Sequence, residues 1–332
     1  MSFKICMIGC GEIANGYHGP AYRKYALEHA NVELSACCDR NIPKAAQFAE
    51  RFGFSRYYTD FAKMLKTERP DAICLSVQPD FTCEISCAIL GMGIPLLLEK
   101  PPGMTIEETD RMIAAAAESG TPNQVAFNRR FTPLVSELKG ILEKRLSPED
   151  IQYVRYDLTR VNRTDRDFST TAIHGIDTAR FIASSDYAYV RFHYQEFSVL
   201  GQGVANIFMD CTFQSGATAQ LDFCPLAGVV TERVAVHASD NTCFLNLPVW
   251  NAFDTPGRLM HFEKEQLIRD VAGPEVSGSN EDYILNGFYS ENESFFNDIR
   301  NGCLPTVDIK SGRQSVEIAQ LIRERAVEYV PH

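Results

Sequence analysis

Three short stretches of the 332 residues carry side chains or backbone suited to chemistry. Gly9-Cys10-Gly11-Glu12-Ile13-Ala14 fits the pattern G-x-G-x-x-G/A. The first glycine permits a tight turn, the second lets a pyrophosphate approach the backbone, and the third position needs only a small residue so that helix and strand pack closely. Ala14 meets that last need. Phosphates would rest at the helix N-terminus, where unpaired N–H groups and the helix dipole favour an anion. The second stretch, Glu99-Lys100-Pro101-Pro102, places a cation directly after the apolar run Leu96-Leu97-Leu98. The third, Ile173-His174-Gly175-Ile176-Asp177, sets a titratable ring among apolar residues.

A glycine-rich hexapeptide alone is weak evidence, and context strengthens it. The motif follows an apolar run, opens a helical pattern and precedes a second apolar run that ends in Asp39. A carboxylate there accepts hydrogen bonds from both ribose hydroxyls of NAD and repels the extra phosphate of NADP. Arg40, beside it, keeps NADP open because a guanidinium pairs with a 2′-phosphate. In an open α/β sheet the ligand lies beyond the carboxyl ends of the strands. This adds Ser76-Val77-Gln78-Pro79 and Glu99-Lys100 to the expected cofactor set of Gly9, Gly11, Glu12, Ile13, Ala14, Asp39 and Arg40. A strand-end lysine is ordinarily only solvent-exposed. Beside an oxidised nicotinamide and partly desolvated, Lys100 is instead expected to titrate closer to neutrality, where it can exchange a proton with a hydroxyl or carbonyl.

The elements that must position these residues follow two grammars. Through Asn128, short apolar runs (Lys4 to Ile8, Glu33 to Cys38, Ala72 to Val77, Pro95 to Leu98, Gln124 to Asn128, with a short one near Arg56 to Thr59) alternate with helical patterns at Ile42 to Phe52, Phe81 to Gly91 and Thr105 to Ser119. That predicts a doubly wound parallel sheet. After a helix at Pro133 to Lys144, period-two alternation takes over, as in Val190, Phe192 and Tyr194 or Ala219, Leu221 and Phe223, with turns at Gln214 to Gly216 and Ser239 to Asn241. Closing helices are expected at Glu281 to Arg300 and Ser311 to Glu328. The expected fold class is thus α/β, an N-terminal Rossmann-type domain over 1–128, plus an α+β domain over 129–332 with a large open, mostly antiparallel sheet. An apolar sheet face without helices over it should find a partner, which predicts a homodimer or homotetramer through the second domain.

Composition limits the partners. The formal charge of −11 and the absence of basic runs argue against nucleic acid. No apolar stretch approaches the roughly 20 residues of a membrane helix, and no signal-peptide pattern opens the chain, which predicts a cytoplasmic protein without membrane association. Eleven cysteines at neither zinc nor disulfide-framework spacing read as reduced, core-filling thiols. Cys83 and Cys87 share a helix face, but two ligands make no zinc site, and no metal is expected.

Taken with Phe127-Asn128-Arg129-Arg130-Phe131 and Asn292-Glu293-Ser294-Phe295-Phe296, these motifs resemble, in order and spacing, the Gfo/Idh/MocA family of NAD(P)-dependent oxidoreductases over nearly the whole chain. The EKP stretch is the most discriminating piece. The resemblance implies hydride exchange between nicotinamide and a carbinol carbon of a sugar, inositol or related polyol. It assigns Lys100 to the family's EKP lysine and His174 to the histidine that faces it. Oxidising an alcohol needs one group to hold the hydroxyl and one to accept its proton. His174 suits the acceptor role and Lys100 the stabilisation of developing alkoxide charge. Without the motif, a histidine in an apolar setting reads as a packed core residue; Asp177, one turn on, either holds the imidazole or is a helix-surface carboxylate. Asn128, Arg163, Thr170 and Asp177 are candidate substrate contacts, and the arginines of the segment Arg160 to Asp167 would suit an acidic sugar, a solvated loop or a subunit contact equally.

Two departures from the family stand out. The aspartate usual four residues before the histidine is Thr170 here, which cannot act as an ionised base. The histidine often found after the fourth-strand proline is absent from Asp80 to Cys83. Either Lys100 and His174 suffice, or Asp167 or Asp177 substitutes, or the protein binds NAD as a regulator without turnover. An enzyme holding NAD tightly through a redox-neutral reaction would need the same cleft.

Overall fold

The computed structural model describes residues 2–331. They form two compact units, one made of the chain through Asn128 together with Phe288–Val316, the other of Arg129–Gly287 with the chain from Glu317.

The first unit begins β1 (Phe3–Ile8), a π-helical turn (Ala14–His18) running into α1 (Gly19–Glu28), β2 (Val32–Cys38), α2 (Ile42–Phe52), β3 (Arg56–Tyr58) and α3 (Phe61–Glu68). It continues with β4 (Ala72–Leu75), α4 (Pro79–Gly91), β5 (Leu96–Glu99), α5 (Ile106–Ser119) and β6 (Asn123–Ala126). The six strands pair in parallel in the order β3-β2-β1-β4-β5-β6. β4 and β6 are buried along their whole length, as expected of strands covered by helices on both faces. The helix starts are chemically explicit. Asn41, Asp60 and Thr105 cap α2, α3 and α5 by accepting from the backbone N–H of Lys44, Lys63 and Glu108. The short α3 is not among the helical patterns singled out from the sequence.

The second unit holds α6 (Pro133–Arg145), β7 (Ile151–Thr159), α7 (Ser169–Ala183), β8 (Tyr187–Glu196), β9 (Ala205–Phe213) and β10 (Thr218–Cys224). β11 (Thr231–Ala238), β12 (Asn241–Asn246), β13 (Arg258–Glu263), β14 (Gln266–Ala272) and the short helices α8 (Gly273–Ser277) and α9 (Asp282–Leu285) follow. A nine-stranded sheet runs β14-β13-β12-β11-β7-β10-β9-β8-β15, all antiparallel except β10 against β7. Its last member, β15 (Glu328–Tyr329), comes after the closing helices α10 (Phe288–Asn301) and α11 (Ile309–Arg323).

The closing region differs from expectation in two places. The helix predicted over 281–300 is broken at Gly287, whose φ of 83° no helix accommodates. The last helix ends at Arg323, and Glu328 and Tyr329 leave it to pair with Arg191 and Val190 at the sheet edge. The chain also returns to the first unit at Phe288. The reason is aromatic packing: Phe288 stacks on Tyr17 at 4.5 Å, and Phe296 meets Tyr22 and Tyr25 at 5.7 and 5.0 Å.

The expectation of an apolar sheet face without helices also needs correction. That face is covered by α6 and α7, whose Leu134, Leu138, Ile176 and Ile182 join Val154, Tyr156, Leu221 and Phe223 in one core. α7, hidden from periodicity because nearly every one of its residues is buried, supplies the missing cover. It approaches closely because Gly175 has no side chain: a Cβ there would stand 2.5 Å from Phe223 Cε1 and 3.0 Å from Tyr156. Gly175→Ala should therefore cost about 1–3 kcal/mol of stability through overpacking, read as a lower midpoint in urea unfolding.

Candidate active site

The first unit opens a cavity of about 900 Å³ where β1, β2 and β4 end. Those strands lie side by side at the point where the sheet order reverses, the usual crevice for a dinucleotide. Its lining includes Gly9, Gly11, Glu12 and Ile13 from the glycine turn, Asp39 and Arg40 from the end of β2, and Ser76, Val77 and Gln78 from the end of β4. Ala14, Pro79, Glu99 and Lys100, also expected at this site, are not part of that lining. Ala14 is fully buried, consistent with close packing of the turn, and Pro79 opens α4. Sequence spacing did not reveal Lys44, Thr59, Asp60, Phe61, Phe81 and Ile85, which complete the wall from the starts of three helices.

The two glycines do different work. Gly9 has φ of 92°, and a Cβ on it would collide with the carbonyl oxygen of Ser76. Its N–H donates to Cys38 O at 2.8 Å, while Ser76 N donates to Ile8 O at 2.8 Å, so three strand ends are laced together at one residue. At Gly11 a Cβ would meet nothing within 4 Å. The structure does not need a glycine there for its own packing, so that space is left for a group that approaches the backbone. The first N–H groups of the helix that follows have no intrahelical partner and present an anion site.

Asp39 is held from both sides. Its Oδ2 accepts from Cys10 N at 2.9 Å and its Oδ1 from Asn41 N at 2.8 Å, which fixes the carboxylate between the glycine turn and the cap of α2. Each oxygen keeps a lone pair for a ribose hydroxyl. Arg40 is exposed, its guanidinium 4.8 Å from the Phe81 ring.

Lys100 follows the last residue of β5, the strand beside β4, and is half-buried. The carboxyl group of Glu99, the preceding residue, accepts from Lys100 N at 3.2 Å and pairs with His18 Nε2 at 2.8 Å. Burial opposes ionisation of Glu99, but the His18 hydrogen bond, the charge that His18 carries when protonated, the nearby Lys100 charge and the Lys100 N–H outweigh it and hold its carboxyl below the usual range. His18 itself is buried, on the π-helical turn directly after the glycine motif. Its place could have been suspected only from its distance to that motif, since nothing in spacing links it to residue 99.

In the second unit His174 is buried near the start of α7. Thr170, one turn earlier, is half-buried. Asp177 is neither exposed nor on the helix surface: it is 1% exposed and takes a two-pronged ion pair from Arg130, at 2.7 and 2.5 Å. Asp167 is a helix-start residue, accepting from Ser169 N and Oγ and facing Arg323 at 3.3 Å. Arg163 holds Asp165 at 2.6 Å and leans over Phe168. Arg160, expected in a loop over the pocket, is buried instead. It joins Arg129 and Tyr156 around Glu232, with both guanidiniums over the Trp250 ring. Burial opposes the Glu232 charge, yet the two arginines hold its carboxyl far below the usual range. Asn128 is buried at the end of the first unit's N-terminal stretch.

Among the described residues no group of acidic, histidine or cysteine side chains has the makings of a metal site, and no helix is long and apolar enough to cross a membrane. The cysteines carry no disulfide, and all but Cys87, Cys224 and Cys303 are buried.

Comparison with known proteins places these features. Residues 3–127 match the Gfo/Idh/MocA model, described as an oxidoreductase family with an NAD-binding Rossmann fold. The chain is 28% identical over 136 residues to D-glucoside 3-dehydrogenase of Escherichia coli K12, covering 41% of this chain and 38% of that protein. It is 22% identical over 206 residues to inositol 2-dehydrogenase of Salmonella paratyphi B, covering 60% of each. The chain thus spans less than two thirds of either relative's length. A solved levoglucosan dehydrogenase in complex with NADH superposes over 100% of both chains with a TM-score of 0.85 at 20% identity, a likeness of fold.

The cavity yields a direct test. Gly11→Val should leave unfolding of the free protein nearly unchanged, because a Cβ at this position meets nothing within 4 Å. It should abolish stabilisation by NAD, which for the unaltered protein amounts to about 2.7 kcal/mol at a hundredfold excess over Kd. Thermal shift with and without NAD measures both.

Proposed function

We propose that the chain, whose residues 3–127 match the Gfo/Idh/MocA model of NAD-binding oxidoreductases, exchanges hydride between nicotinamide and a carbinol carbon of a sugar, inositol or related polyol. The observation that carries this reading is the pairing of a dinucleotide-shaped crevice with an EKP lysine at the end of the neighbouring strand. D-glucoside 3-dehydrogenase and inositol 2-dehydrogenase, two relatives by sequence, are named for substrates of that class.

The residues fit the cofactor. Gly11 leaves room for a pyrophosphate, the start of the helix after it supplies N–H donors, and the fixed carboxylate of Asp39 suits an unphosphorylated ribose. NAD is therefore preferred over NADP, whose 2′-phosphate would meet a carboxylate that two backbone N–H groups prevent from swinging away. Bound NAD supplies the hydride acceptor; the chain supplies orientation and proton handling.

Lys100 holds the substrate hydroxyl and offsets the negative charge that grows on its oxygen. His174 accepts the hydroxyl proton. Thr170 donates or accepts a hydrogen bond to a neighbouring substrate hydroxyl but holds no charge. Asp167 and Asp177 do not replace the missing acid, since a guanidinium already engages each. Arg163, by exchanging its contact with Asp165, and the exposed Arg166 are the basic side chains of this segment available to a substrate carboxylate.

Association of copies through the outer face of the nine-stranded sheet belongs to the same reading. That face carries a row of rings, Tyr153, His237, Phe244 and Phe262, with neighbouring centroids 6.1 to 6.2 Å apart. Sedimentation as a monomer at micromolar concentration would remove it.

Turnover decides the main proposal. With NAD and a panel of inositols, aldoses and alkyl glucosides, the protein should form NADH with at least one member, and Lys100→Ala should lower kcat by roughly 10²- to 10⁴-fold while NAD still stabilises the fold. Binding of NAD without NADH formation across the panel would favour a regulator, and product formation without net NADH a redox-neutral enzyme.

A further inference from the structure

Next to Lys100 lies a buried hydrogen-bonded chain that links Asn292, His18 and Glu99. It begins at Asn292 on α10. The Asn292 Nδ2 donates to Phe288 O at 2.7 Å and lies 3.1 Å from His18 Nδ1. A carbonyl oxygen can only accept, so the atom facing it is the amide nitrogen, and the orientation of the amide is fixed by that bond. The second hydrogen of the same nitrogen then points at His18 Nδ1, which must offer a lone pair. The ring proton consequently sits on Nε2, and Nε2 donates to Glu99 Oε1 at 2.8 Å.

The surroundings preserve that state. Asn292 Oδ1 is buried with no hydrogen-bond partner, so the amide forgoes one bond in this orientation. Turned over, its oxygen would meet Phe288 O and two acceptors would face each other. The ring is wedged between Tyr22, at 5.7 Å on α1, and Phe288, at 5.3 Å on α10. The other titratable groups of this pocket are Glu291, beside Asn292, and Cys74 on β4, both of which act on Tyr22. Burial, and after it the influence of Cys74, Glu291 and Glu99, pushes the Tyr22 phenol well above its usual range, so it offers no charge.

We propose that Asn292 and His18 are positioning residues that fix the Nε2–H tautomer of His18, so that a neutral donor holds the Glu99 carboxylate in place and its full negative charge acts on Lys100. The inference rests on the reading of Lys100 as the cation that holds the substrate hydroxyl. A protonated imidazole in the same place would cancel most of the Glu99 charge, and a side chain without a donor would leave a buried carboxylate unsupported. An ionised Glu99 favours the ammonium form of Lys100, so this chain of contacts sets the pH at which Lys100 gives up its proton.

The test reads that proton without turnover. Reductive methylation of Lys100, followed by peptide mass spectrometry across pH 6 to 11, gives the midpoint at which its amine becomes reactive. Glu99→Gln should move the midpoint down by about one pH unit, a roughly tenfold gain in reactivity below it. His18→Leu should move it in the same direction, while His18→Gln, which keeps a neutral donor, should leave it near the original value. Ring-nitrogen NMR at pH 7.5, with His18→Gln identifying the signal, should show a protonated Nε2 and a bare Nδ1. Unchanged midpoints in Glu99→Gln and His18→Leu, or a protonated Nδ1 in the unaltered protein, would overturn the proposal. Should His18→Leu fail to fold, the near-isosteric Glu99→Gln decides the midpoint by itself. A protein that makes no NADH but shows the shifts refutes the dehydrogenase reading and leaves this one standing.

Discussion

At Gly9 the backbone of the glycine turn passes so close to the carbonyl of Ser76 that no Cβ fits between them. Much of the first unit follows from that contact. The residue must adopt φ of 92°, which lets its N–H reach Cys38 while the chain turns out of β1 into a helix. β1 is thereby tied between β2 and β4 at their carboxyl ends, where the sheet order reverses and a crevice must form. The same turn aims Cys10 N at Asp39, so the residue that would recognise a ribose is positioned by the residue between the two glycines. One steric constraint thus sets the phosphate end and the ribose end of the cavity together.

The second unit is organised by buried charge. Glu232 is completely enclosed and answers two guanidiniums and a phenol, and Asp177 answers Arg130. Removing one partner from such a pair costs about 3–5 kcal/mol, because the other charge stays buried and uncompensated. These contacts are therefore poor candidates for groups that exchange protons or ligands. They tie the turn at Asn128–Phe131 to β11 and to the middle of α7. Arg129 and Arg130, adjacent in sequence, point to different carboxylates, which fixes the rotation of that turn and with it the start of α6.

The parallel sheet was readable because its strands are continuous apolar runs bounded by capped helices, and α2 matched its predicted limits of Ile42 and Phe52. Cavity residues were readable where a backbone requirement leaves a mark, as at Gly9, Gly11 and Asp39. Three kinds of feature were not. α7 lacks an amphipathic period because it is buried nearly all round, so only its motif suggested a helix. The break at Gly287 and the strand Glu328–Tyr329 depend on what the rest of the chain offers as neighbours, which local pattern does not encode. Long-range polar partners are the third: Arg129 meets Glu232 across 103 positions and His18 meets Glu99 across 81, and neither pairing has a spacing signature. Arg160 shows the consequence, since an arginine in a polar stretch reads as a loop residue until its partner is known.

The substitution of Thr170 for an acid gains meaning from where the remaining acids are. Asp165, Asp167 and Asp177 are the carboxylates flanking or carried by the first half of α7, and each is engaged by an arginine: Arg163, Arg323 and Arg130 respectively. For any of them to accept a proton, an ion pair would have to give way, and Asp177 is itself buried within its pair with Arg130. A protein that had moved the missing acid elsewhere on this helix would be expected to leave that acid without such a partner. Under the proposed function, proton handling falls to nitrogen bases, Lys100 beside Glu99 and His174 on α7. Within the first unit a carboxylate does stand beside the lysine: Glu99, one residue from Lys100, is held by His18, which Asn292 contacts in turn. On that view Thr170 does not by itself argue for a silent protein, because the lysine retains a carboxylate against which to titrate.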